Sequence, residues 1–302
     1  FGVIMKARAC GKFILVGEHF VVAGVPAIAF PLLELYSEVE IKPSVNSNEP
    51  QLAGSESLKV ALKALGRSES EPLIFKSVGN IPFSRGFGSS ASFSVALVKA
   101  LSGYFQLKNV NLRDAAFAVE KVFHGSPSGI DPEVIAQMNP ILFEKGKDFH
   151  LISNSAADFV LVDSGDRASC KSLVQEMIEF REKNSSVWES YVRIMNETVH
   201  EMVPALEHGD TEKVAELVTQ AGIILEDLCL SSLSVRRVIE EGRELGALAG
   251  KVSGAGRGGA VVLVARPGQG ESLATRMRSR GFSVLAVEKA RIQASLESAL
   301  HA

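Results

Sequence analysis

Apolar and polar positions change rhythm several times along the chain. Val3–Ala9, Lys12–Val16 and Leu35–Ile41 are short apolar, β-forming stretches separated by turn residues, which predicts strands. Pro43–Gly54, crowded with Ser, Asn, Pro and Gly, reads as a polar loop. Leu58, Ala61, Leu62 and Leu65 recur on one face, which predicts a helix over Ser57–Leu65. A strand follows at Leu73–Val78. Gly86–Ser90 is a Gly/Ser turn that opens a helix over Ala91–Leu107, and Leu112–Phe123 is a second amphipathic helix. Gly125–Ile130 reads as a tight loop of small residues ending at Asp131.

Farther on, a strand pattern at Phe159–Asp163 gives way to four helical patterns, Ser169–Lys183, Ser186–Glu207, Thr211–Leu228 and Ser234–Leu245. The end alternates: strand at Leu248–Val252, Gly-rich turn at Gly254–Gly259, strand at Ala260–Ala265, helix at Gly270–Arg280, strand at Ser283–Glu288. A mixed first half and a helix-rich second half predict two lobes, divided near Asn154–Asp158.

Composition narrows the class. The chain has 302 residues, 46% hydrophobic and 22% charged, enough for a sizeable globular core. A net charge of −3 argues against a nucleic-acid or anionic-membrane surface, since both need a basic excess. Cys10, Cys170 and Cys229 are odd in number and lack CxxC spacing, so packed or surface thiols in a reducing compartment are expected. No apolar run reaches the roughly 18 residues of a membrane span, and no basic stretch precedes an apolar one as in a signal peptide. A cytoplasmic protein is expected.

Four segments carry candidate chemistry. Arg85-Gly86-Phe87-Gly88-Ser89-Ser90-Ala91 opens a helix. Glycines let the backbone approach a ligand, and a helix N-terminus offers free N–H groups to phosphate. A plain Ser-capped helix start would look the same. Lys251–Gly259 contains GxGxxG at Gly254, Gly256 and Gly259, but a strand follows where a dinucleotide fingerprint needs a helix. A Gly-rich strand–turn–strand is compatible with plain hairpin geometry, and with Lys251 and Arg257 flanking it also with a second anion-facing loop. Glu120 and Asp131 are two carboxylates, one near a helix end and one past a tight loop, able to divide metal binding and contact with a substrate hydroxyl. His124, one turn after Glu120, reads as a packed or capping histidine. In Gly11–Gly24, Lys12 starts an apolar strand and Glu18-His19 sit on the turn after it. No Walker A sequence occurs.

Taken together, these segments resemble the three signature motifs of the GHMP kinases, in family order. Gly11–Gly24 is similar to the first. Gly86–Ala91 matches the GLGSSA phosphate loop, and Lys251–Gly259 matches KxTGAGxGG with Ser253 for Thr. Gly17-Glu18-His19-Phe20-Val21-Val22-Ala23-Gly24 and Glu120 through Asp131 resemble the forms found in the mevalonate kinase branch, GEHxVVxG and EKxxHGxPSGID.

The resemblance implies an α+β, two-lobed fold. Residues 1–155 would form an ATP-binding lobe of the ribosomal-protein-S5 domain-2-like type, and residues 156–302 a ferredoxin-like lobe. It implies ATP and Mg²⁺ as cofactors, mevalonate as substrate and a homodimer. By matching positions, Asp131 is the catalytic base, and Lys12 either favours its ionised form or steadies the nucleophile and the transferring phosphoryl. Arg85 to Ala91 contact ATP, with Gly86 to Ser89 wrapping the phosphates. Ser90 and Glu120 hold Mg²⁺. Glu18, His19, Ser253, Gly254, Ala255 and Gly256 border the substrate. Arg167 is a candidate partner for a substrate carboxylate, because its guanidinium is a planar fork. Sibling readings are a phosphomevalonate or sugar kinase, or a ligand sensor on the same fold. Retention of Lys12, Glu120 and Asp131 together speaks against the sensor.

The sequence departs from the family in places. Cys10 stands where proline is common, Ser84-Arg85 precede Gly86 where small residues are usual, and Pro132–Met138 lacks a Ser/Thr-Gly-rich continuation.

Overall fold

The computed structural model describes residues 4–44, 55–125, 127–166 and 170–291. The chain forms two compact units. One comprises residues 1–12 and 31–139, the other residues 13–30 and 140–302. Two long strands, β1 (Met5–Val16) and β2 (Ala27–Pro43), contribute residues to both.

β1 joins what the sequence reads as two strands. The predicted break at Cys10-Gly11 rested on turn propensity, but both residues lie within extended backbone. The first half of β2 escaped the sequence reading because its residues are buried on both faces, so no polar alternation marks it. The sheet runs β1-β2-β4-β5, with β3 also on β2. Antiparallel pairing sets Ser37 opposite Gly79 of β3 (Leu73–Gly79) and Ala27 opposite Phe143 of β4 (Ile141–Phe143). β4 in turn pairs with β5 (His150–Leu151).

In the first unit, helices α1 (Ser55–Ala64), α2 (Ser89–Tyr104), α3 (Leu112–His124) and α4 (Ile130–Gln137) pack on one another. α2 is buried on most of its circumference, from Ala91 through Leu101, which suits its Ala/Ser/Val composition. α3 is amphipathic; it buries Ala115, Ala116 and Val119 and is capped by the Asn111 side chain, which accepts from the Asp114 amide.

α4 extends the sequence reading. The loop ahead of Asp131 is present, and Asp131 itself lies in the first turn of a helix. Gly129, at φ 97°, is its N-cap, and Pro132 lies in the first turn, where its missing N–H leaves no hydrogen bond unmade. The predicted loop ends where this helix begins, with Ile130 its first helical residue.

The second unit holds an antiparallel sheet in the order β7-β8-β6-β9. Its strands are β6 (Asp158–Asp163), β7 (Ala249–Val252), β8 (Ala260–Ala265) and β9 (Ser283–Glu288). Helices α7 (Thr211–Asp227), α8 (Leu233–Glu244) and α9 (Gly270–Ser279) pack on this sheet, α6 (Ser185–Glu207) packs on α7, and α5 (Cys170–Lys183) on α6. Phe13, Phe30 and Phe159 make an aromatic cluster with ring centroids 5.1–5.6 Å apart. Among the described residues, no helix is long and apolar enough to cross a membrane.

The predicted loop Pro43–Gly54 falls largely outside the described residues, as does Arg167.

Candidate active site

The first unit gathers Lys12, Asp131, Glu120 and the Gly86–Ser90 turn. Lys12 is 4% exposed. Its amide donates to the Phe87 carbonyl at 3.0 Å, which ties β1 to the turn. Its side chain runs under Gly88, where a Cβ would stand 2.7 Å from Lys12 Cγ. Gly88 also has φ 76°, so both space and backbone conformation require glycine there. Beyond the turn, Lys12 Nζ reaches Asp131 Oδ2 at 3.1 Å.

Gly88 is the N-cap of α2 and supplies no side-chain cap, which leaves the first-turn amides of this helix without that partner. Such a terminus receives anions. Ser89 and Ser90 stand half-exposed in that turn, and Arg85 is half-exposed just before it. Phe87 departs from its expected ATP contact as a side chain. Its ring is fully buried, so only its main chain borders the turn.

Glu120 is 2% exposed. Ser90 Oγ donates to its Oε1 at 2.8 Å, and Ser94 Oγ lies 3.3 Å from its Oε2. Burial pushes the Glu120 carboxyl up to about 7, with the Asp131 charge adding to the shift and the Ser90 and Ser94 hydroxyls and Lys12 opposing it. A buried carboxylate so placed favours a proton or a cation. Among the described residues, no group of three or more His, Cys, Asp or Glu forms a metal cage. One carboxylate and one hydroxyl fit Mg²⁺, which takes its other ligands from phosphates and water.

His124 joins this cluster, contrary to its reading as a packing residue. Its Nε2 is 3.0 Å from Ser90 Oγ and 3.3 Å from Glu120 Oε1. The i,i+4 spacing from Glu120 on α3 is the sequence signal that pointed there. Sequence reasoning also missed Glu133. It is buried in the first turn of α4, bonded to Arg113 of α3 at 2.8 Å and to Gln137 at 3.0 Å, and so fixes the helix that carries Asp131.

The second unit gathers the other motif residues. Gly17 has φ 96°, and a Cβ there would fall 2.5 Å from the Pro26 carbonyl oxygen. Glu18 and Lys251 are both buried and form an ion pair, and Lys251 Nζ also donates to the Val252 carbonyl at 2.7 Å. Burial pushes the Lys251 ammonium down, and the Glu18 charge opposes this. Lys251 is therefore an internal strut and not an anion-facing cation. Arg257 is likewise committed: Nε donates to the Cys229 carbonyl and the guanidinium grips Glu176 at 2.6 Å. The expected second anion loop has neither of its cations to offer.

Ser253 was expected at the substrate, but its hydroxyl is spent inside the protein. It donates to the Ile14 carbonyl at 2.9 Å and accepts from the Ile14 amide at 3.0 Å. The adjoining turn has Gly254 at φ 81° and Gly256 at φ 90° with Ala255 between them. His19 sits at φ 66°, and its Nε2 is buried without a hydrogen-bond partner among the described residues. Burial pushes the His19 imidazole down to about 4, opposed by the main chain of Ala255 and Gly254.

Comparison with known proteins settles the class. The GHMP kinases N terminal domain matches residues 56–136, and the GHMP kinases C terminal domain matches residues 202–283. The chain belongs to the GHMP kinases. The N-terminal match contains the Gly86–Ala91 turn, Glu120 and Asp131. A mevalonate kinase from Aeropyrum pernix is 27% identical, with 88% of this chain and 90% of the relative covered. One from Arabidopsis thaliana is 25% identical over 92% of this chain and 95% of the relative. The crystal structure of L. major mevalonate kinase in complex with R-mevalonate superposes with a TM-score of 0.80 at 26% identity, covering 97% of each chain. This GHMP kinase is accordingly an α+β phosphotransferase that uses ATP.

Proposed function

We propose that this kinase transfers the γ-phosphoryl group of ATP to the hydroxyl of mevalonate, giving 5-phosphomevalonate. The observation that carries the reading is the Lys12–Asp131 pair at 3.1 Å beside the uncapped start of α2. The full-length likeness to mevalonate kinases supports the choice of acceptor.

In this reading Asp131 accepts a hydrogen bond from the substrate hydroxyl and takes its proton as the new P–O bond forms and the bond from the γ-phosphorus to the bridging oxygen breaks, releasing ADP. Lys12 holds Asp131 in place and offsets negative charge on the transferring phosphoryl. Main-chain N–H groups over Gly86–Ala91 orient the phosphates, with Arg85 adding positive charge at the edge. Ser90 and Glu120 would hold Mg²⁺, which when bound neutralises phosphate charge. In the second unit, Glu18 steadies the Gly254–Gly256 turn through Lys251. A homodimer, which the family resemblance implies, and a cytoplasmic setting, expected from composition, complete the proposal.

The test is ADP release from MgATP with (R)-mevalonate, phosphomevalonate, galactose and homoserine in parallel. Selective turnover of mevalonate is expected. Preferential turnover of another acceptor would reassign the substrate.

A further inference from the structure

His124 ends α3 and closes a triangle with two residues of the proposed cation site. Nε2 is 3.0 Å from Ser90 Oγ and 3.3 Å from Glu120 Oε1, and Ser90 Oγ donates to that same Oε1 at 2.8 Å. The imidazole side chain is 43% exposed, so it borders the site without being built into the core.

A serine hydroxyl has one hydrogen and two lone pairs. To ligate a cation through oxygen it must turn the hydrogen away from the metal. In the structure that hydrogen is directed at Glu120. When Glu120 Oε1 gives its electrons to the same cation, it becomes a poorer acceptor, and the hydroxyl needs another. The imidazole nitrogen at 3.0 Å is within bonding distance.

We propose that His124 is a positioning residue of the cation site: its Nε2 accepts the Ser90 hydroxyl hydrogen when Ser90 and Glu120 turn their oxygens to the metal. The ring then carries its own hydrogen on Nδ1. This rests on the assignment of Ser90 and Glu120 to Mg²⁺ in the proposed function. It assigns His124 neither phosphate contact nor proton transfer. Partners of this kind orient metal ligands in many sites, and their loss weakens the metal without removing a ligand.

Mn²⁺, titrated into the whole chain with a non-hydrolysable ATP analogue and followed by the EPR signal of the free ion, tests this directly. His124→Leu, and the too-short His124→Asn, should weaken Mn²⁺ by about tenfold or more, whereas His124→Gln, whose amide oxygen accepts at similar reach, should stay within about threefold of the parent. Thermal unfolding measured alongside separates a lost positioning bond from a lost fold. Parent-like Mn²⁺ affinity in folded His124→Leu overturns the proposal, as does a His124→Gln variant as weak as His124→Leu. Glu120→Gln separates the two levels. If it loses Mn²⁺ while His124→Leu does not, only the role of His124 falls. If it too binds normally, the cation assignment falls with it.

Discussion

At Gly88 the backbone and the Lys12 side chain compete for one small volume. Gly88→Ala would force a left-handed residue to carry a Cβ and push it to 2.7 Å from Lys12 Cγ. Strain of this kind costs about 1–3 kcal/mol. We therefore expect a lowered melting temperature and a larger fall in turnover, since the displaced group is the partner of Asp131. Thermal unfolding and ADP release check this, and a variant with parent-like values for both would mean that the turn does not position Lys12. Glu120 carries a pH signature. Its carboxyl is raised from 4.5 to about 7, so the folded protein favours the protonated form. Its contribution to stability is then full below about 4.5 and is lost as pH rises through about 7. Without divalent cation, the melting temperature of the parent relative to Glu120→Gln should fall between pH 5 and pH 8. A constant difference across that range would contradict the burial argument.

Among the elements, α4 matters most, because it carries Asp131 and is held by a carboxylate that does no chemistry. Glu133 is 2% exposed, and Arg113 reaches it from α3. Arg113→Met leaves the buried Glu133 charge bonded to the Gln137 amide without its cation, which costs about 2 kcal/mol. It should lower both the melting temperature and kcat, with nucleotide affinity little changed, because the Gly86–Ser90 turn belongs to α2. Calorimetry and steady-state kinetics test this, and unchanged kcat would separate α4 from the chemistry. The helix itself was hidden in the sequence. Gly129 read as a loop residue and is a left-handed N-cap, while Pro132, given no element in the sequence, sits in the first turn. β2 was half-hidden for another reason, since burial on both faces removes the alternation that marks a strand.

Across the whole molecule, what was legible was whatever a local rule governs: most helix and strand positions and the glycine turn. Pairings across long sequence distance were not. Lys251 and Glu18 are 233 residues apart, and nothing near Lys251 marks it as buried rather than anion-facing. Ser253 is equally remote from Ile14, to which its hydroxyl is given. His124 is the intermediate case, with helical spacing from Glu120 but a role visible only once Ser90 is brought to it. Removing one member of the buried pair should be severe. Lys251→Met takes the ammonium from the buried Glu18 carboxylate and should cost about 3–5 kcal/mol, read by denaturant unfolding; a loss below about 1 kcal/mol would mean that the pair is solvated. The most direct test of the central claim is steady-state ADP release with MgATP and (R)-mevalonate for the parent and Asp131→Asn, with nucleotide binding measured on both. We predict robust turnover by the parent, a loss of at least about a hundredfold in kcat for the variant, and similar nucleotide affinity in the two. Near-parental turnover by Asp131→Asn would contradict the account.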